Sequence, residues 1–347
     1  MQEENCDEIK NSRIVFIDIA KGISILLMII GHVIGNGIRR SIIFSFHMPL
    51  YIITSGFFYK EKSFKEEIKN LSINYLLPTT LVLLICFFIN HRGNPEFIET
   101  CKEAFKVVTV CWSHKSRIDY SFSSTGVLWF IYLLIGVKFL FILNKKVAKD
   151  NDLLLGTIVL FETYVGYLLG KNGYWLPWSL DLTFSSILFY YVGYLFNKYN
   201  ILDKISKNYI ILIIVLIIWI LGIKYNWIEL AVRKYQNGLW SYITAIAGTI
   251  IIFKLSMMIE KRFPSVTSIL SWCGRNSLYI LFGHHIESSL IKYNMIIKNK
   301  ILFNIALSPW KCFNSVLFGA LILGFIKLMN LFFSKIKTTK KKEKEKD

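Results

Sequence analysis

Acidic residues are scarce in this chain. Its 23 Asp and Glu stand against 41 Lys and Arg, leaving a formal net charge of +18. No RNA- or DNA-binding motif accompanies that charge, so nucleic acid is not expected as a partner. An anionic membrane leaflet or a polyanionic substrate suits it better. Cysteine is also sparse and unpatterned. None of the six sits in a CxxC or metal-ligand spacing, so no metal site is expected. Cys86 and Cys273 fall in apolar runs and read as packing residues. Cys101 and Cys111 share a loop and read as unpaired thiols. No inverted internal repeat of the transporter kind is found. A cleavable signal peptide is missing too: MQEENCDEIKNSR is polar and mixed in charge. The first apolar run is therefore expected to stay in the membrane.

What is present is apolar sequence. Hydrophobic residues make up 54% of the 347, and the mean hydropathy is +0.47. A soluble domain is usually about 45–50% apolar even when glycine is counted. The excess lies in repeated blocks of roughly 17–25 residues, the length that crosses hydrocarbon as a helix. Ten spans are read, at 14–34, 43–59, 72–90, 125–143, 153–170, 182–197, 209–224, 238–257, 269–291 and 313–333. The expected fold is all-α: a polytopic membrane helix bundle of about ten transmembrane helices. An even count puts both termini on one side. The connections on that side hold more Lys and Arg, which makes both termini cytoplasmic. Residues 1–13 then form a cytoplasmic segment, 14–333 the transmembrane domain, and 334–347 a basic cytoplasmic tail. Tryptophans near span ends, among them Trp129, Trp178, Trp240 and Trp310, fit an interfacial belt.

The stretch from Arg13 to Tyr59 is unusual within that frame. Two apolar runs carry Asp18, Lys21, His32 and His47. An ionisable group in hydrocarbon costs about 2.5–3.5 kcal/mol on insertion scales, so it points to function by default. Steps of three and four place 18, 21, 25, 28 and 32 on one helix face. Lys21 and His32 are then roughly 16 Å apart along the axis. The ninth run adds Arg275 at one end. Ser277, Leu281, His284 and Ser288 share a face there, with Glu287 one turn from His284. His285 points elsewhere and reads as structural. Basic groups (Lys21, Arg275) thus sit low and histidines (His32, His47, His284) sit high. A buried ion pair with interfacial histidines would account for part of this pattern without any chemistry.

Four stretches stand out in order: Lys21 and His32 with ten residues between them, FHMPLYIITSGF from Phe46, LWFIYLL from Leu128, and NSLYILFGH from Asn276 to His284. Together they resemble a known family, the polytopic membrane acyltransferases of family three, in the branch that includes fucose 4-O-acetylase-like proteins. Many relatives carry arginine at the basic position; lysine stands there here and cannot make arginine's bidentate fork. The resemblance implies transfer of an acyl group, most often acetyl, from cytoplasmic acetyl-CoA to a hydroxyl of a cell-surface polysaccharide or its lipid-linked precursor. It implies a multi-pass protein of the cell membrane. His32 is the expected general base, with His47 or His284 orienting the acceptor or sharing the proton. Asn276 and Ser277 are candidate oxyanion donors. Lys21, Arg13 and Arg275 are expected at the donor phosphates, and Trp129 and Phe130 as an apolar wall. Direct transfer and an acyl-histidine intermediate both fit. The alternatives to an enzyme are a glycan transporter or flippase and a membrane scaffold.

Overall fold

The computed structural model describes residues 14–35, 37–94, 96–111, 125–225, 228–291, 293 and 300–344. It is a bundle of helices with one small hairpin. The order is α1 (Val15–Gly31), α2 (Ile38–Phe44), α3 (His47–Phe57), α4 (Phe64–Asn90), α5 (Phe97–Val110), α6 (Gly126–Ala148), α7 (Asp152–Lys171) and α8 (Leu180–Lys198). Next come α9 (Ile201–Lys207), α10 (Tyr209–Tyr225), β1 (Ile228–Glu229), β2 (Lys234–Tyr235), α11 (Trp240–Arg262), α12 (Pro264–Arg275), α13 (Ser277–Leu290) and α14 (Lys300–Lys344). We call the end of the bundle where α1 begins proximal and the end where it finishes distal.

All ten expected spans contain helix, but they do not make ten long apolar helices. Among the described residues five helices are long and apolar enough to cross a membrane: α4, α6, α7, α11 and the Leu307–Met329 part of α14. The bent pair α9–α10, turned by 98°, would make a sixth. The others fall short for local reasons. Helix α1 has 17 residues. Helix α8 buries polar side chains, Asp181, Thr183, Ser185 and Ser186 among them. The run 43–59 is broken at Ser45 and Phe46, because Pro49 has no N–H for the Ser45 carbonyl and its ring crowds that group. The run 269–291 is broken at Asn276. Helix α14 continues past residue 333 to Lys344, so no boundary in secondary structure separates the tail. The two-residue strands are an addition to the all-α expectation.

Helices meet through glycine. A Cβ added at Gly22 of α1 would lie 2.0 Å from the Leu270 carbonyl oxygen of α12, and one at Gly274 of α12 1.8 Å from that of Asp18. Gly56 of α3 and Gly193 of α8 touch the facing backbone in the same way. Small residues allow this approach where lipid gives no hydrophobic push between helices. Cys101 and Cys111 are both free thiols. Trp178, Trp240 and Trp310 are exposed, as a belt requires, whereas Trp129 is buried at 5%.

The hairpin is pinned to α8. Arg233 donates to Asp181 twice, at 2.8 and 3.2 Å, with both side chains almost wholly buried. The Trp175 ring lies 4.0 Å from the Arg233 guanidinium carbon, and the Tyr235 hydroxyl donates to Ser185 at 2.9 Å. Removing one partner of a buried pair leaves the other charge uncompensated, at a cost of about 3–5 kcal/mol. Asp181→Ala should therefore lower thermal stability in detergent strongly. The double variant Asp181→Leu with Arg233→Met should recover most of the loss.

Candidate active site

One cavity of about 590 Å³ is lined mainly by α1, α3, α6 and the α12–α13 junction, with further residues from α2, α4 and the hairpin. From α1 come Lys21, Ile25, Met28 and His32, the face that the three–four spacing defines. From α3 come His47, Tyr51, Thr54 and Ser55, again one face. From α6 come Trp129, Phe130, Ile131, Leu134 and Lys138, and from the α12–α13 junction Arg275, Ser277 and Leu281. The cavity thus joins a proximal end with three cations, Lys21, Lys138 and Arg275, to a distal end with two imidazoles, His32 and His47. Lys138 is ion-paired with the buried Glu67 of α4. The Arg275 guanidinium donates to Ser271 at 3.2 Å.

The break before α3 fixes His47. Its Nδ1 lies 2.9 Å from the Ile43 carbonyl oxygen. A carbonyl only accepts, so Nδ1 carries the hydrogen and the neutral ring keeps its lone pair on Nε2. The side chain thus caps the last turn of α2, where the Ile43 carbonyl otherwise accepts a long bond, 3.4 Å, from the Phe46 N–H. His32 follows the last residue of α1 and is exposed at the cavity. Phe44 packs edge-on against both imidazoles, with ring centroids 4.8 Å from His47 and 6.4 Å from His32.

His284 does not line the cavity. It is buried and stacks behind His32, with centroids 5.6 Å apart and planes at 27°. Its Nδ1 is 3.1 Å from the Ser315 hydroxyl and 3.4 Å from the Glu287 carboxylate. His284 can therefore support His32 but cannot meet an acceptor in the cavity. Asn276 also lies outside the lining, and its side-chain amide donates to the Trp272 carbonyl at 2.8 Å. That bond, made one turn back at the helix break, uses one of the two N–H donors of the group expected to stabilise an oxyanion. Ser277 does face the cavity. Arg13 lies outside the described residues. The His285 ring lies beside Gly126, close enough to meet a Cβ added there.

Tyr51 and Lys138 were not singled out in the sequence. The Tyr51 hydroxyl donates to the Lys21 carbonyl at 2.7 Å, and its ring meets Phe130 edge-on at 5.9 Å. It ties α3 to α1 in the middle of the cavity. Its place four residues after His47 was a readable signal. Lys138 sits seven residues after Ile131 on the same α6 stripe. Among the described residues no group of three or more His, Cys, Asp or Glu could hold a metal ion.

The fold and cavity define a multi-pass membrane protein with a chamber inside a helix bundle, its wall largely apolar with cations and imidazoles set into it. Residues 14–329 match the family model described as an acyltransferase domain, the third family of that name. The chain belongs to that family. It is also 26% identical over 166 residues to "Nodulation protein NolL" of Sinorhizobium fredii (strain NBRC 101917 / NGR234), a match covering 44% of this chain. The chain spans about two fifths of that relative's length, 41%. No solved structure matches it.

Proposed function

We propose that this chain is an integral-membrane O-acyltransferase that moves an acetyl group from acetyl-CoA to a hydroxyl of a cell-surface polysaccharide or its lipid-linked precursor. The observation that carries the reading is the cavity itself, with cations at one end and imidazoles at the other. In this reading the chain crosses the cell membrane ten times with both termini cytoplasmic, so the proximal end faces the donor. Lys21 and Arg275 hold donor phosphates, and Trp129 and Phe130 wall the passage of its arm. His32 takes the proton as the acceptor oxygen attacks the thioester carbonyl. The tetrahedral intermediate collapses to the ester and the coenzyme thiolate, which recovers the proton. Ser277 lines that path with a hydroxyl able to donate, whereas the Tyr51 O–H is held by the Lys21 carbonyl.

Release of free coenzyme A by the purified protein in nanodiscs, dependent on added glycan, tests the reaction class. Mass spectrometry of the surface polysaccharide from cells with and without the gene tests the acceptor; one acetyl mass per repeat is the expected difference. Lys21→Ala should raise KM for acetyl-CoA about tenfold or more, because a hydrogen bond to a charged group is worth about 1.5–3 kcal/mol. The acceptor KM should stay as it was. Equal shifts in both would remove Lys21 from the donor site.

A further inference from the structure

The distal wall holds one side chain that the proton-transfer chemistry does not use. Glu229, from β1, lines the same cavity as His32 and His47. Its Oε1 accepts a hydrogen bond from Arg40 Nη2 at 2.8 Å, and its side chain is only 11% exposed. The Arg40 guanidinium carbon lies 4.4 Å over the Phe44 ring, the ring that packs against both histidines. A carboxylate, an aromatic ring and two imidazoles therefore share one end of one cavity, with the Arg40 guanidinium set against the carboxylate and the ring.

The segment that presents Glu229 is anchored far more firmly than its size requires. A two-stranded ribbon is marginal on its own. Here Ile228 and Leu230 are buried on either side of Glu229, and Arg233 and Tyr235 fasten the returning strand to α8. The result is a fixed carboxylate carried by a connection between helices. Pockets take their selectivity from a few polar groups placed in this way.

An ionised carboxylate only accepts hydrogen bonds, and it has about four places to do so. With Arg40 on Oε1, the ligand that suits it is a donor of neutral hydroxyl groups. An anionic ligand would instead be repelled by Glu229 and drawn to Arg40. We propose that Glu229, positioned by Arg40, is a saccharide-binding residue that receives hydroxyl groups of the acceptor beside His32. This rests on the acyltransferase reading and adds to it the acceptor's recognition group.

The test uses the full chain in its native membranes, with the cell's own purified envelope glycan as acceptor and radiolabelled acetyl-CoA as donor. Label in glycan is counted separately from label released as acetate, where water replaces the glycan. Glu229→Gln should raise the KM for glycan about tenfold to a hundredfold. Acetate release should stay within about twofold of wild type, and glycan labelling should recover at saturating glycan. Glycan labelling and acetate release falling together would overturn the proposal, since Glu229 would then serve the machinery or the fold. A lower KM for glycan would overturn it as well, because the ligand would be an anion competing for Arg40. Wild-type membranes that yield neither product would defeat the acyl-transfer reading instead. In that case binding of fluorescently labelled glycan to wild type and Glu229→Gln in nanodiscs decides: weaker binding by the variant supports the subsite, and equal binding overturns it.

Discussion

His32→Ala is expected to abolish glycan acylation while leaving the protein inserted and folded. A sugar hydroxyl is a weak nucleophile at neutral pH, and a positioned base contributes about 10²–10⁴ in rate. His32 is placed to supply it: it ends α1, opens on the cavity, and is backed by His284 in a stacked pair. The same exposure makes the substitution mild for the fold, because no packed volume is emptied. His284→Ala should behave differently. That side chain is 2% exposed and bonded to Ser315, so its loss should reduce both activity and thermal stability. The pair of variants separates a reacting group from a supporting one. Labelled acetyl transfer and melting temperature, measured on the same membranes, check both. Transfer by His32→Ala near the wild-type rate would end the proposed role.

The lysine-to-histidine face of α1 was legible because it depends only on helical spacing, and Lys21, Ile25, Met28 and His32 do line one cavity. The break at Ser45 is written in Pro49, which lies in the first turn of α3, but the hydropathy of 43–59 reads as one continuous span. His47 becomes a cap on the preceding helix only through that break. An asparagine next to a serine reads as a donor pair, but the chain turns there, so that Ser277 lines the cavity while the Asn276 amide donates to the Trp272 carbonyl. The distal hairpin was beyond reach. Arg40 and Glu229 are 189 residues apart, and Asp181 and Arg233 are 52 apart. No local period connects them, and neither strand is long enough to show alternation.

Gly22→Leu is expected to prevent accumulation of folded protein, and even Gly22→Ala should destabilise it. Intrinsic propensity argues the other way, since alanine in a helix interior is favoured over glycine by about 0.8–1.0 kcal/mol. The crossing of α1 and α12 decides the sign. A methyl at Gly22 would sit 2.0 Å from the Leu270 carbonyl oxygen, and backbone cannot swing aside as a side chain can. Relief requires the two helices to separate by more than 1 Å, which strips the contacts along the whole crossing; overpacking of well-filled sites costs about 1–3 kcal/mol and occasionally more. The site is coupled to the same contact. Helix α1 carries Lys21 and His32, while α12 and the helix that follows it carry Arg275, Ser277 and His284. Moving them apart opens the cationic end and unstacks the imidazoles, so surviving Gly22→Ala protein should lose transfer activity out of proportion to its stability. Gly324→Ala is the control: nothing lies within 4 Å of its added methyl, and it should be neutral or slightly stabilising. Size-exclusion profiles and thermal melts of the three variants compare them. A Gly22→Ala protein as stable as Gly324→Ala would mean that the close approach of α1 and α12 does not hold the bundle together.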